Sequence, residues 1–187
     1  MHLLESYALV SACLIDKCFI HEEAIDLPSN PYITFHPFNP KGTDRNYSHW
    51  QKVIDTIYPI IKNQTSIIQI GGKYDTRLKH VSYDYLGKTN YNSLAYLIKN
   101  AILHIGFDSL PMHIASHYDK KIVAIFPRYI ENSKPYFSSP HNIKLIMPDY
   151  SIIKPIYGDD DPLKRIDTIS PNIIVDAIME LLNINVK

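Results

Sequence analysis

The sequence predicts an α/β protein: a Rossmann-like parallel sheet with helices on both faces. Two observations carry this prediction. Short apolar runs rich in β-branched residues recur along the chain almost free of charge, as strands covered on both faces do. Segments with apolar residues at helical spacing alternate with them across short connections, and that order implies right-handed βαβ crossovers.

Residues 1–30 read as an N-terminal helix and linker. Leu3, Tyr7, Val10 and Leu14 fall on one face of an amphipathic helix. Val10-Ser11-Ala12-Cys13 loosely resembles a lipoprotein cleavage site, but Met1 to Glu5 contains no Lys or Arg and does contain a Glu. That charge is wrong for a signal peptide, so export is not expected. Residues 31–187 read as the Rossmann-like domain with its terminal helix. Strands are expected at 32–36, 67–70, 102–105, 122–126 and 143–146, with a weaker one at 83–86.

The first helix between them sets Trp50, Val53, Ile54, Ile57 and Ile61 on one stripe, with Pro59 kinking or ending it. The second carries Leu94, Leu97, Ile98 and Ala101 after a cap at Asn92 or Ser93. The third begins at Ser109 with Pro111 in its first turn, and the last opens on Ser170-Pro171 and lines up Ile174, Ile178 and Leu181. Residues 127–162 are rich in Pro, Tyr and Asp and read as long loops around one strand.

Composition narrows the function classes. A chain of 187 residues fits one well-buried domain, and 45% apolar with 20% charged residues fits a globular one. Nineteen basic residues balance nineteen acidic ones, so net charge offers no case for nucleic acid as partner. Charge or proline breaks every apolar stretch well before ~18 residues, so no transmembrane segment is expected. Cys13 and Cys18 are the only cysteines, and no bridge between them is expected. A reducing, cytoplasmic location follows, with membrane association only through a partner.

In a sheet of this kind ligands bind at the carboxyl ends of the strands. After the first strand comes His36-Pro37-Phe38-Asn39-Pro40-Lys41-Gly42-Thr43-Asp44-Arg45, and after the second Gly71-Gly72-Lys73-Tyr74-Asp75. Gly87-Lys88-Thr89 follows the weak strand, and Gly106-Phe107-Asp108-Ser109 runs straight into a helix. Glycines admit a ligand close to the backbone, a helix start offers N–H groups to an anion, and Lys41, Arg45 and Lys88 add cations. The sum describes a nucleotide site, though without a Walker motif or G-x-G-x-x-G. Each part has a plainer reading: a strand-ending turn at Gly71-Gly72, solvated loop charges at Lys41 and Arg45. His113 and His117 stand at zinc-ligand spacing, but the Glu of H-E-x-x-H is absent and no metal is expected. Asp159-Asp160-Asp161 reads as an acidic surface loop, and the fourteen tyrosines show no RNP-like pattern.

The run from Ile102 to Ala115 resembles the signature of the heptosyltransferases, glycosyltransferase family 9. There a strand leads into an Asp-Ser/Thr-Gly-x-x-His-x-x-Ala helix start, with Asp108, Ser109 and His113 at the matching positions. Three more stretches match in order. Ile33 to Pro37 with Arg45, Asn46, Tyr47 and Trp50 resembles the family's strand, basic loop and Lys/Arg-x-Trp-Pro turn. Ile68 to Gly72 with Asp75 resembles its glycine turn and following acid, and Leu86 to Thr89 with Leu94-Ala95 its Gly-Lys-Thr segment. The resemblance covers about Pro31 to Phe126, and more weakly the terminal helix.

It implies one half of a GT-B glycosyltransferase, the C-terminal half that binds a nucleotide diphosphate sugar. By that resemblance Ser109 to His113, with Asp108 and Met112, meet the diphosphate, and Arg45 and Lys41 neutralise it. Asp75 with Gly71 and Gly72 lies near the ribose, and Gly87 and Lys88 near the base. The implied reaction transfers a sugar to a cell-surface glycan such as lipopolysaccharide, with no cofactor or metal and the acceptor domain supplied by a partner. Two departures stand out. Leu110 replaces the family's Gly, and no residue matches the catalytic base, which the family carries in its N-terminal half. The rival readings are a non-catalytic nucleotide or nucleotide-sugar binding module that has lost the acceptor domain, and a Rossmann-like interaction domain without a ligand.

Overall fold

The structure is a computed structural model that describes residues 1–38, 45–128, 130–151 and 163–184. Its centre is a six-stranded sheet of β1 (Tyr32–His36), β2 (Ser66–Gly71), β3 (Tyr83–Leu86), β4 (Leu103–Phe107), β5 (Lys121–Ile125) and β6 (Ile143–Ile146). The strand order is β3-β2-β1-β4-β5-β6, and every neighbouring pair is parallel. The chain therefore starts at the middle, works outward to β3, then returns to build β4 on the other side of β1. That reversal makes the carboxyl ends of β1 and β4 the topological switch point, where Ile33 pairs with Leu103 and His36 with Gly106.

Both faces of the sheet are covered, which is why its strands read as unbroken apolar runs. Ile33, Phe35, Ile105 and Val123 pack with α2 (Trp50–Ile61) and α6 (Pro171–Leu182). Tyr32, Ile68, Ile70, Ile122 and Ala124 pack with α3 (Tyr91–Asn100) and α4 (Leu110–His117) on the other side. The weak strand at 83–86 forms as expected, at the sheet edge, where its tyrosines are only partly covered.

Three local expectations need correcting. Of the two expectations for Pro59, that it ends α2 is overturned: it lies inside the helix, which continues to Ile61. A proline that near the end removes one hydrogen bond and the last turn survives. The cap of α3 is Asn90 rather than Asn92 or Ser93: its Oδ1 accepts from both Asn92 N–H and Ser93 N–H at 2.9 Å, and Ser93 Oγ accepts from Asn90 N–H at 3.0 Å. The expected helix at the amino terminus, α1 (Leu3–Ser11), is present but buries none of its residues. Tyr7 and Val10 are exposed, and Leu14 lies beyond the helix end. The helix is held at its start instead. His2 caps it, receiving Leu4 N–H on Nδ1 at 3.1 Å, while its Nε2 lies 2.9 Å from the Lys134 carbonyl.

The stretch between α1 and β1 has no helix or strand yet is fastened to the body. Ile20, Ile25 and Leu27 pack against the α3–α4 layer, and Glu22 accepts from Lys99 Nζ and from Tyr118 O–H at 2.8 Å. Within 127–162 the described residues form a short α5 (Ile130–Ser133), a 3-10 turn at Pro140–Asn142 and β6. Asp159, Asp160 and Asp161 lie outside the described residues.

Candidate functional site

The parallel sheet sets the glycine-rich turns after β2 and β3 and the β4–α4 junction along one edge. The first two interlock. Gly87 donates its N–H to the Gly71 carbonyl at 2.9 Å. Gly87 has φ of 65°, and a Cβ there would lie 2.8 Å from Lys73 Cα. Only glycine supplies both the left-handed backbone and the missing volume. At Gly71 an added Cβ would strike Asp75 Oδ2.

Asp75 is spent largely on its own turn. Its Oδ2 accepts from Gly72 N–H at 2.7 Å, and its N–H donates to the Gly72 carbonyl at 3.1 Å. Beneath it the fully buried Gln69 anchors the loop, donating to the Thr76 carbonyl at 2.8 Å and accepting from Leu78 N–H at 2.9 Å. Lys88 turns back onto β3, with Nζ 3.0 Å from the Asp84 carbonyl and 3.7 Å from its carboxylate.

At the β4–α4 junction the carboxylate of Asp108 accepts from Ser133 Oγ of α5 at 2.9 Å, and its other oxygen lies 3.8 Å from His113 Nε2. Ser109 is the N-cap of α4 in extended backbone, but its hydroxyl makes no capping bond. Pro111 has no N–H, and the N–H groups of Met112 and His113 both reach the Ser109 carbonyl, at 3.1 and 3.4 Å. Among the described residues, the N–H groups of Ser109 and Leu110 carry no hydrogen bond. Of the N–H groups expected to meet a diphosphate from Ser109 to His113, only those of Ser109 and Leu110 are thus left open among the described residues. The Met112 side chain is fully buried in the α3–α4 layer and cannot meet a ligand. Leu110 takes the family's glycine position without a positive φ, because it is the first residue of a regular helix.

Sequence reasoning passed over three side chains here. His36, at the end of β1, places Nδ1 3.0 Å from Ser109 Oγ and stacks its ring on Phe107. Burial pushes its pKa down to about 4, so the ring is neutral at pH 7. His104, wholly buried on β4, sits 3.0 Å from Thr34 Oγ1 through Nδ1, and burial followed by the nearby His36 lowers its pKa to about 3. Ser133 fixes Asp108 from the short α5, which carries no motif. His36 stood in the first carboxyl-end run, so its position in sequence was a usable signal; the other two offered none.

Arg45 is exposed in the turn that leads into α2. The chain around it is firmly placed: Tyr47 O–H donates to the Ile169 carbonyl at 2.6 Å, and Trp50 packs edge-on against Phe35 and Tyr47. Lys41 lies outside the described residues, with the rest of 39–44. A mostly apolar cavity of about 380 Å³ opens beside α4, with Leu4, Ile20, Leu110, His113 and Phe137 on its walls.

The charge pattern suits a polyanion. The positive end of the α4 dipole meets unpaired N–H groups, and the Asp108 carboxylate beside it accepts from Ser133 and lies 3.8 Å from His113 Nε2. Among the described residues no group of three or more His, Cys, Asp or Glu side chains could hold a metal ion, and no described helix is long and apolar enough to cross a membrane.

Solved structures share this fold. Escherichia coli ADP-heptose LPS heptosyltransferase II superposes with a TM-score of 0.60 at 18% identity, over 96% of this chain and 51% of that one. The family 9 glycosyltransferase of Veillonella parvula gives 0.65 at 18% identity, over 84% and 48%. The dodecameric iron-containing heptosyltransferase TibC, in complex with ADP-D-β-D-heptose, gives 0.65 at 15% identity, over 87% and 48%. The chain thus spans about half the length of each. No curated protein matches the sequence at a significant level. The profile of glycosyltransferase family 9 (heptosyltransferase) matches residues 11–146, most of the chain. With the sheet order, the β4–α4 junction and the ordered motifs in agreement, the chain belongs to glycosyltransferase family 9.

Proposed function

We propose that this chain binds the nucleoside diphosphate of a sugar donor at the carboxyl edge of its sheet and serves as the donor half of a heptosyltransferase-like enzyme acting on a surface glycan. One observation carries the reading: at the switch point, α4 begins directly after β4 with two unpaired N–H groups, beside a serine hydroxyl that makes no capping bond. In the reaction, the bond from the anomeric carbon to the diphosphate oxygen breaks and one to the acceptor oxygen forms. The diphosphate leaves with the electron pair, and the acceptor proton passes to a base. This chain stabilises the leaving diphosphate by helix-start N–H groups and Arg45, with no metal required. Asp75 orders the glycine turn of Gly71 and Gly72 against the nucleoside, and Gly87 and Lys88 border the base. No residue of this chain is assigned as the base.

The test is titration of the purified chain with ADP, UDP, GDP and CDP, ADP first because solved relatives hold ADP or ADP-heptose. One of them should bind. Arg45→Ala should then weaken binding by about 1.5–3 kcal/mol, the scale of a hydrogen bond to a charged group, with the melting temperature unchanged. Sugar transfer by the chain alone should stay ~10²–10⁴-fold below that of a full-length relative, the usual contribution of general-base catalysis. Binding that persists with no transfer under any pairing with an acceptor half would favour the non-catalytic module. No binding at all would leave an interaction domain.

A further inference from the structure

A serine at an N-cap ordinarily spends its hydroxyl on an N–H of the helix's first turn. Ser109 does not; its Oγ is drawn back toward the sheet, 3.0 Å from His36 Nδ1 and 3.2 Å from the Phe107 carbonyl. The group that draws it is rigidly held. His36 closes β1 opposite Gly106 of β4, and its ring lies on Phe107 with centroids 4.9 Å apart and planes 26° apart. A neutral imidazole has one N–H to give, and the stacked ring holds its Nδ1 facing Ser109 Oγ.

We propose that His36 is a positioning residue for the donor diphosphate: its Nδ1–H donates to Ser109 Oγ, which directs the serine's own O–H at a phosphate oxygen at the start of α4. This rests on the phosphate reading of that helix start. A hydroxyl has one donor and two acceptor positions. With one acceptor position filled by His36, the proton has two destinations, the Phe107 carbonyl in the empty site and a phosphate in the filled one. The same contact keeps the hydroxyl from capping α4. The N–H groups of Ser109 and Leu110 and the O–H then converge on one ligand position, set across a pairing of residues 73 apart in sequence.

A ring that merely fills space predicts something different, and a double-mutant cycle separates the two. ADP, or whichever of UDP, GDP and CDP the native chain binds, is titrated into the native chain, His36→Phe, Ser109→Ala and the double variant. The His36→Phe variant keeps an aromatic ring on Phe107 and loses only the nitrogens. Each single variant should bind about fivefold to tenfold more weakly, the scale of one hydrogen bond. The double variant should bind no more than about twofold more weakly than Ser109→Ala alone. His36→Asn, whose amide N–H sits where Nδ1–H sat, should recover most of the affinity, and His36→Gln, whose amide extends toward the Nε2 position, should not. Near-native affinity in His36→Phe, effects that multiply in the double variant, or equal recovery by Asn and Gln would overturn the inference while leaving the phosphate site standing. Failure of the native chain to bind any nucleoside diphosphate would overturn both. Should His36→Phe fail to fold by circular dichroism, the Asn and Gln pair still decides.

Discussion

Gly87 and Gly72 sit in touching turns but face different constraints. At Gly87 the positive φ and the 2.8 Å approach to Lys73 Cα leave no room for a side chain. At Gly72 an added Cβ would rest 3.5 Å from Asp75, in ordinary contact, and the backbone is not left-handed. Gly87→Ala should therefore cost about 1–3 kcal/mol in urea unfolding, and Gly72→Ala less than about 0.5 kcal/mol. Equal costs would mean that the two turns do not interlock. The sequence showed the glycines but not this difference, because it depends on Lys73 lying over a turn fourteen residues further on. The same limit hid the engagement of Asp75 with Gly72 and of Lys88 with Asp84. An acid or a lysine near a glycine looks available to a ligand until the local hydrogen bonds are known.

Caps and covers decide how each element begins and what it faces. Asn90 satisfies two first-turn N–H groups of α3 and also reaches Glu23 from its amide at 2.7 Å. Asn90→Ala should cost about 1 kcal/mol, whereas Asn92→Ala, at a half-buried first-turn position whose side chain makes no capping bond, should leave unfolding free energy within about 0.5 kcal/mol of native. The reverse result would restore the cap to Asn92. Strands were easier to locate than caps. Burial on both faces imposes a long apolar signature, while a cap is a choice among neighbouring Asn and Ser residues that backbone direction settles. The α1 helix shows the opposite failure. Its apolar spacing marked one face of an amphipathic helix, yet none of its residues is buried, and it is held at its start by the His2 cap and the contact at Lys134. Periodicity reports that a face exists; whether anything covers it is a tertiary matter.

For the molecule as a whole, buried neutral histidines set an acid-side limit on stability. His36 and His104 have folded pKa values near 4 and 3, below the 6.5 of an unperturbed imidazole, and His117 is lowered by burial and Lys17. Between about pH 6.5 and 4 the unfolded chain binds these protons and the folded chain does not, so stability falls as pH drops through that window and is flat above it. The lowered carboxylates Glu22, Glu131, Asp119 and Asp167 start from 4.5 or 3.8, so they add to the decline only at the acid end of that window and below it. Urea unfolding at pH 7, 6 and 5 should show the decline, and His104→Leu should flatten it by up to ~1.4 kcal/mol per pH unit. Parallel curves for the two proteins would show that His104 takes up its proton in the folded state. The sequence by itself determined the alternation of strands and helices and the glycine-rich turns at the carboxyl ends, because two-sided burial and tight turns each restrict residue type locally. It also supplied the ordered motifs that place the chain in its family. The tertiary structure alone decided that β1 lies beside β4, which brings His36 to Ser109, and that α5 returns to hold Asp108. Those contacts join residues 73 and 25 apart, and no local pattern encodes them, since a strand or loop of the same composition satisfies its own chemistry equally well beside a different neighbour.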